Sequence, residues 1–278
     1  MAENSKAACV IGWPIEHSRS PLIHNHWIKE LGLAADYRRE AVPPEKFAEF
    51  VSNLAARGYV GANVTVPHKE VALALATADA RAQAVGAANT LWHEGGMLRA
   101  TNTDVEGFLA NLDATVPGWD HGLDTALVLG AGGAARAVVF ALAERGVGAI
   151  HVANRSFARA VALRALFAQR IKALHWHEAA AVLPTAGLVV NTTTLGMSGQ
   201  PALDIDLGLL PNHAMVSDLV YTPLETALLK AARRRGLRTV DGLGMLLHQA
   251  ARSFTLWTGE PAPLDAMRDA VTAALAAG

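Results

Sequence analysis

The chain has 278 residues, 51% of them hydrophobic, a formal net charge of −1 and a sequence pI near 6.8. That is enough apolar matter for one large core or two modest ones, and the charge balance lacks the positive field a polyanion requires, so nucleic acid is not an expected partner. Cys9 is the single cysteine, which excludes an intrachain disulfide and a cysteine-ligated zinc cluster and makes a reducing cytoplasm the expected setting.

The first residues, Met-Ala-Glu-Asn-Ser-Lys, carry an acid and no sustained apolar stretch, so they do not read as a secretory signal. Apolar runs then alternate with helical patterns. Strands are expected at residues 8–11, 37–42 and 61–66, with helices from Pro21, from Pro44 and past Pro67, which is repeated βαβ and hence a largely parallel sheet. Residues 89–92 and 97–100 read as two short strands joined by a turn at Glu94-Gly95-Gly96. A connecting helix over 104–112 and the turn-rich 117–122 lead into a second domain. Its strands are expected at 126–129, 149–153, 171–174, 188–191 and 215–218, and beyond Asp241 two helices close the chain at 243–257 and 264–277. The longest apolar region, 126–143, is interrupted by glycines and by Arg136, which argues against a membrane span.

Ile11-Gly-Trp-Pro-Ile-Glu-His-Ser-Arg-Ser-Pro21 puts Ser18 and Ser20 at the mouth of a strand that feeds a helix. Ser20 before Pro21 has the form of an N-cap; either it only caps, or the two hydroxyls and the helix N-terminus bind a carboxylate. In Gly61-Ala-Asn-Val-Thr-Val-Pro-His-Lys69, Asn63 and Thr65 share one face at a strand's C-terminal end, where open α/β sheets bind ligands. Lys69 follows at the start of a helix, an unfavourable place for a cation. Asn89-Thr90 and Thr101-Asn-Thr-Asp104 bring further polar groups to the same edge. Asp104 either caps the next helix or pairs with Lys69 for acid/base work on a polyol.

The run from Thr125 to Arg136 is a strand, a glycine-rich turn and an alanine-rich helix, the form of a dinucleotide site. Gly130 permits the tight turn, Gly132 lets the backbone approach a pyrophosphate, and Ala135 packs helix on strand. After the next strand, where NAD-binding folds place a carboxylate for the ribose, stand Asn154 and Arg155, with Ser156 and Arg159 beyond. A guanidinium suits a 2′-phosphate, which favours NADP. His24-x-His26, His175-x-His177 and His121 have no carboxylate or cysteine at recognised spacing, so no metal site is expected.

Collinear stretches across nearly the whole chain resemble one family, the shikimate dehydrogenases: residues 11–21 with His24-Asn25, Asn63-Val-Thr-Val-Pro-x-Lys69, Gly86-Ala-Ala-Asn-Thr90, Asn102-Thr-Asp104, Gly130-x-Gly-Gly-Ala-x-Arg136, Asn154-Arg155, residues 191–197, Asp218-Leu-Val-Tyr-x-Pro223 and Asp241-Gly-Leu-Gly-Met-Leu-Leu-x-Gln249. The resemblance implies reversible NADP-linked reduction of 3-dehydroshikimate to shikimate. It implies an α/β substrate domain with a mainly parallel sheet, over 1–106 plus 242–278, and a Rossmann-like NADP domain over 107–241. By position, Lys69 and Asp104 resemble the catalytic pair, and Ser18 and Ser20 the carboxylate binders. Thr65, Asn89, Tyr221 and Gln249 look like contacts to the ring and its hydroxyls. Gly130, Ala131, Gly132, Gly133 and Ala134 resemble the pyrophosphate turn, Asn154, Arg155, Ser156 and Arg159 the adenosine-phosphate clamp, and Thr192, Met197 and Gly242 positions around the cofactor. Thr192-Thr-Thr194 departs from the family's frequent Ala-Thr-Ser while keeping hydroxyls. The rival within the same fold is an NAD(P)-dependent quinate/shikimate dehydrogenase; Arg155 with no acid after it and Ser20 in place of a threonine speak for NADP and shikimate. The resemblance leaves a monomer or a homodimer open.

Overall fold

The computed structural model describes residues 6–167 and 170–276. Residues 1–5 of the six on which the N-terminal reading rests, and Ala277, the expected end of the last helix, lie outside the described residues. Contacts divide the chain into two compact units, Met1–Thr103 with Leu247–Val271, and Asp104–Leu246 with Thr272–Gly278.

The first unit carries β1 (Lys6–Gly12), α1 (Ser20–Glu30), β2 (Ala35–Ala41), α2 (Pro44–Ser52), β3 (Tyr59–Val64), α3 (Lys69–Leu75), β4 (Thr77–Ala78), α4 (Ala80–Val85), β5 (Thr90–Glu94) and β6 (Met97–Thr101). Its sheet runs β2-β1-β3-β5-β6-β4. The first three strands are parallel, as expected. The β5–β6 hairpin, turning through Gly95 and Gly96 with φ of 59° and 78°, enters antiparallel to β3, so the sheet is mixed. The two-residue β4 extends the edge, parallel to β6; the sequence pattern carries no signal for it. Both faces of β1 are covered: Cys9 and Ile11 join the core of Phe47, Leu54, Ala62 and Leu91, while Ala8 and Val10 pack with Tyr37 and Trp257.

The second unit holds α5 (Thr103–Thr115), β7 (Thr125–Leu129), α6 (Gly133–Glu144), β8 (Ala149–Asn154), α7 (Phe157–Phe167), β9 (Ile171–His175), α8 (Ala179–Val182), β10 (Leu188–Asn191), β11 (Met215–Asp218), α9 (Ala227–Arg234) and β12 (Arg238–Val240). The sheet order β12-β11-β10-β7-β8-β9 is parallel throughout and doubly wound, with its switch point between β7 and β10. β12, three residues with a charged start, likewise has no signal in the sequence pattern. α10 (Gly242–Thr258) begins in this unit and ends in the first, followed by α11 (Leu264–Ala276). Among the described residues no helix is long and apolar enough to cross a membrane.

Two expected caps move by a residue or more. Arg19, already in the helical region at φ −92° and ψ −3°, occupies the N-cap position of α1; Ser20 lies inside the first turn and caps nothing. α5 starts at Thr103, so Asp104 sits within its first turn and does not precede it. The peptide bonds before Pro14, Pro67 and Pro223 are cis, a feature with no signal beyond the prolines themselves.

Candidate active site

In the first unit, the polar residues picked out by their motifs converge on the ends of β1, β3, β5 and β6. Thr65 follows β3, its N–H bonded to the Ile11 carbonyl at 2.9 Å. The Ser18 hydroxyl accepts the Ser20 N–H at 3.4 Å, and the Ser18 carbonyl is gripped by the Arg39 guanidinium at 3.1 and 2.7 Å, so the turn entering α1 is held from outside. Ser20 is buried and lies against the Tyr37 hydroxyl. Lys69, half-buried, is the first residue of α3, and its carbonyl accepts the Ala88 N–H at 2.9 Å.

Asn89 organises the next layer. Its Oδ1 accepts the Thr103 N–H at 2.7 Å, its carbonyl accepts the Val64 N–H at 2.8 Å, and its Nδ2 reaches the Thr103 hydroxyl at 3.0 Å. Asn63 is the hub beneath: Tyr37 donates its hydroxyl to Oδ1 at 2.7 Å, and Nδ2 donates to Thr90 Oγ1 at 3.1 Å and to Ser253 Oγ at 2.9 Å. Thr103 donates to Gln249 Oε1 at 3.5 Å, one turn before Ser253 on α10. A buried polar network satisfied this fully fixes the positions of its members. Sequence reasoning misses Tyr37 and Ser253; the spacing of four between Gln249 and Ser253 on one helix face was the available signal.

In the second unit, Gly130 closes the turn after β7 with φ +107°, and a Cβ there would stand 2.6 Å from the Thr192 hydroxyl, which itself donates to the Leu129 carbonyl at 2.8 Å. Glycine is required on both counts. Gly132 is the N-cap of α6 with open space where a Cβ would be; the helix, starting at Gly133-Ala134 after Ala131, has no side-chain cap and no acid in its first turn. Its first N–H groups are therefore disposed for an anion, and the cradle fits a dinucleotide pyrophosphate. One strand over, Asn154 donates Nδ2 to the Ser156 carbonyl at 2.9 Å, which shapes the loop that leaves Arg155, Ser156 and Arg159 exposed.

Beyond β11, Asp218 is fully buried. It accepts from Asn191 Nδ2 at 2.9 Å, the Val220 N–H at 3.1 Å and the Thr226 hydroxyl at 2.7 Å, while burial pushes its carboxyl above the ordinary range. This pins the segment running into half-buried Tyr221. Gly242, first in α10, would drive a Cβ to 2.2 Å from the Leu219 carbonyl, so that carbonyl's approach also demands glycine. Met197 is half-buried in the loop after β10, its N–H bonded to the Thr194 carbonyl at 3.1 Å.

The histidines do other work. His24 stacks on Tyr37 at 4.1 Å in the first core, and His175 stacks on Phe157 at 4.1 Å. Among the described residues no three histidine, cysteine or carboxylate side chains cluster as metal ligands would.

Three family profiles match the chain in order: the shikimate dehydrogenase substrate binding domain over residues 10–91, shikimate/quinate 5-dehydrogenase over 114–197, and the shikimate 5′-dehydrogenase C-terminal domain over 242–272. A shikimate dehydrogenase (NADP(+)) of Rhodopseudomonas palustris strain TIE-1 is 64% identical over 259 residues, covering 93% of each chain. One of Nitrobacter winogradskyi is 60% identical over 97% of each. Among solved structures, the quinate dehydrogenase of Corynebacterium glutamicum in complex with NAD aligns at TM-score 0.89 with 32% identity, covering 97% of this chain and 99% of that one. The shikimate 5-dehydrogenase of Thermus thermophilus in complex with NADP(H) and shikimate aligns at 0.84 with 37% identity, covering 96% and 99%.

Proposed function

The chain belongs to the NADP-dependent shikimate dehydrogenase family and interconverts 3-dehydroshikimate and shikimate, a step toward the aromatic amino acids; on that premise we propose how its residues divide the work. Residues 1–106 with 242–278 form the substrate domain and 107–241 the NADP domain. The substrate-domain profile over 10–91 and the glycine turn after β7 support a division of this kind, while the two compact units part at Thr103, Leu246 and Val271, and so differ from these bounds at 104–106, 242–246 and 272–278. Ser18 and Ser20 take the substrate carboxylate; Thr65, Asn89, Tyr221 and Gln249 take the ring oxygens. Gly130 to Ala134 cradle the pyrophosphate, Asn154, Arg155, Ser156 and Arg159 hold the adenosine phosphate, and Thr192, Met197 and Gly242 border the rest of the cofactor.

NADPH, when bound, supplies the hydride that reduces the ring ketone. Lys69, as an ammonium, faces the negative charge that develops on the ketone oxygen and gives it a proton; in the reverse direction its amine takes the proton back, with Asp104 as partner. The observation that carries this assignment is a chain of bonds. The Lys69 carbonyl is tied to the Ala88 N–H, the neighbouring Asn89 side chain is tied to the Thr103 N–H, and Asp104 follows Thr103 directly. The backbone at Lys69 and the backbone at Thr103, which leads into Asp104, are thus each tied by a hydrogen bond.

Replacing Lys69 with alanine lowers kcat by about 10²- to 10⁴-fold, the usual worth of a positioned acid, and changes KM for shikimate by less than about fivefold. Turnover within tenfold of wild type removes Lys69 from the chemistry. Initial rates with shikimate or quinate against NADP or NAD test specificity; the expected preference is shikimate with NADP, and a preference for quinate with NAD refutes it. A cytoplasmic location, supported by the single buried Cys9, and a monomer or homodimer complete the proposal. Light scattering decides the latter.

A further inference from the structure

The sheet edge on which the glycine turn opens continues beyond Arg155. Asn154, last in β8, is the register partner of His175, last in β9. With strands about 4.8 Å apart, His175 stands one strand beyond the loop that bears Arg155 and Ser156. Its ring is fixed on two sides. It stacks on Phe157, the first residue of α7, at 4.1 Å and 12°, and a ring nitrogen accepts the Glu178 N–H while Glu178 Oε2 takes the His175 N–H at 2.6 Å. A neutral imidazole has one acceptor and one donor nitrogen. Since the cap occupies the acceptor, the other nitrogen carries the hydrogen in the neutral ring.

Trp176 and His177, with Leu129 from the end of β7, line a cavity of about 310 Å³. Asp204 and Asp206 line the same cavity; His177 stacks on His175 at 5.5 Å, and Glu178 is engaged in the cap. Arg155 and Arg159, in the loop and helix that follow the neighbouring strand β8, are both exposed.

We propose that His175 is a further ligand of the adenosine 2′-phosphate, donating its ring N–H to a phosphate oxygen beside Arg155 and Ser156. The proposal rests on the reading of Arg155 as the 2′-phosphate clamp. It differs from an added positive charge in one respect: the ring gives a single directed N–H, so its effect depends on where the phosphate oxygen sits.

Titration calorimetry at pH 8 with 2′,5′-ADP and with 5′-AMP tests it without substrate or turnover. His175→Asn keeps a capping acceptor and removes the ring. The variant weakens 2′,5′-ADP binding by about five- to tenfold, a single phosphate hydrogen bond at a solvated site, and leaves 5′-AMP within twofold. Arg155→Ala runs beside it. If Arg155→Ala loses discrimination between the two nucleotides and His175→Asn does not, or if His175→Asn weakens both equally, His175 is not a phosphate ligand and the clamp reading stands. If Arg155→Ala leaves the discrimination intact, the clamp reading fails and the proposal with it.

Discussion

Asp218 shows how one buried charge sets a stretch of backbone. Burial raises its carboxyl pKa, and the donors from Thr226, Val220 and Asn191 work against that rise while fixing both carboxyl oxygens in place. Asp218→Ala leaves three donors without their acceptor and costs about 3 kcal/mol; Asp218→Asn, which keeps one oxygen in place, costs about 1 kcal/mol. Urea denaturation checks both, and a loss below about 0.5 kcal/mol for the alanine variant contradicts the account. His24 acts on pH dependence. Burial lowers its pKa to about 3, against a smaller opposing effect of the Asn63 side chain. Between pH 3 and the unfolded value near 6.5, the unfolded chain binds the extra proton. Stability from neutral His24 is therefore complete above about pH 6.5 and is lost as pH falls, by about 2 kcal/mol at pH 5. His68 and His151, also lowered by burial, act in the same sense; Asp218, raised, acts in the opposite one at lower pH. His24→Phe, which keeps the stack on Tyr37, loses distinctly less stability than wild type between pH 7 and pH 5. Equal losses by urea titration would exclude His24 as a source.

At the scale of elements, α10 meets β3 at a glycine. A Cβ on Gly61 would lie 2.2 Å from the Trp257 indole nitrogen and 2.4 Å from the Leu91 carbonyl, the two partners of a 3.0 Å hydrogen bond. Gly61→Ala therefore parts that bond and lifts the helix from the strand, costing about 3 kcal/mol in thermal or urea unfolding; a change under about 1 kcal/mol would mean the contact yields freely. Gly61 was legible as part of a motif, but not for this reason, since nothing in its own segment names a tryptophan 196 positions later. The same limit explains the other differences. Buried parallel strands announce themselves as apolar runs, and β7, β8, β10 and β11 fall where those runs do. β4 and β12 are too short to make a pattern. The antiparallel entry of β5 depends on pairing with β3, which the hairpin turn does not encode. Ser20 lost its cap because Arg19 already turns helical, a backbone decision invisible in residue types. The site residues stood out because Asn63, Thr65, Asn89 and Asp104 break apolar patterns at strand ends; Ser253 and Tyr37, inside regular elements, break none.

For the whole molecule, the two units give ligand binding a regional signature. The residues proposed for the pyrophosphate and adenosine phosphate, Gly130 to Arg159, lie wholly within Asp104–Leu246. The proposed carboxylate and ring contacts Ser18, Ser20, Thr65, Asn89 and Gln249 lie in Met1–Thr103 and Leu247–Val271. A ligand that binds only the native form stabilises whatever must unfold to release it, by about 2.7 kcal/mol at one hundred times its Kd. Because each unit has its own core, local openings in one need not break the other. Hydrogen exchange with NADP alone should then slow most in β7, α6 and β8, and exchange with shikimate alone most in β1, α1 and β3. Protection of both regions to the same degree by either ligand would mean that the units open as one body. Helix α10 is the informative exception. It starts at Gly242 in one unit and passes Gln249 in the other, so its amides report both ligands, and its protection with the two together measures their coupling as a departure from the sum of the separate effects.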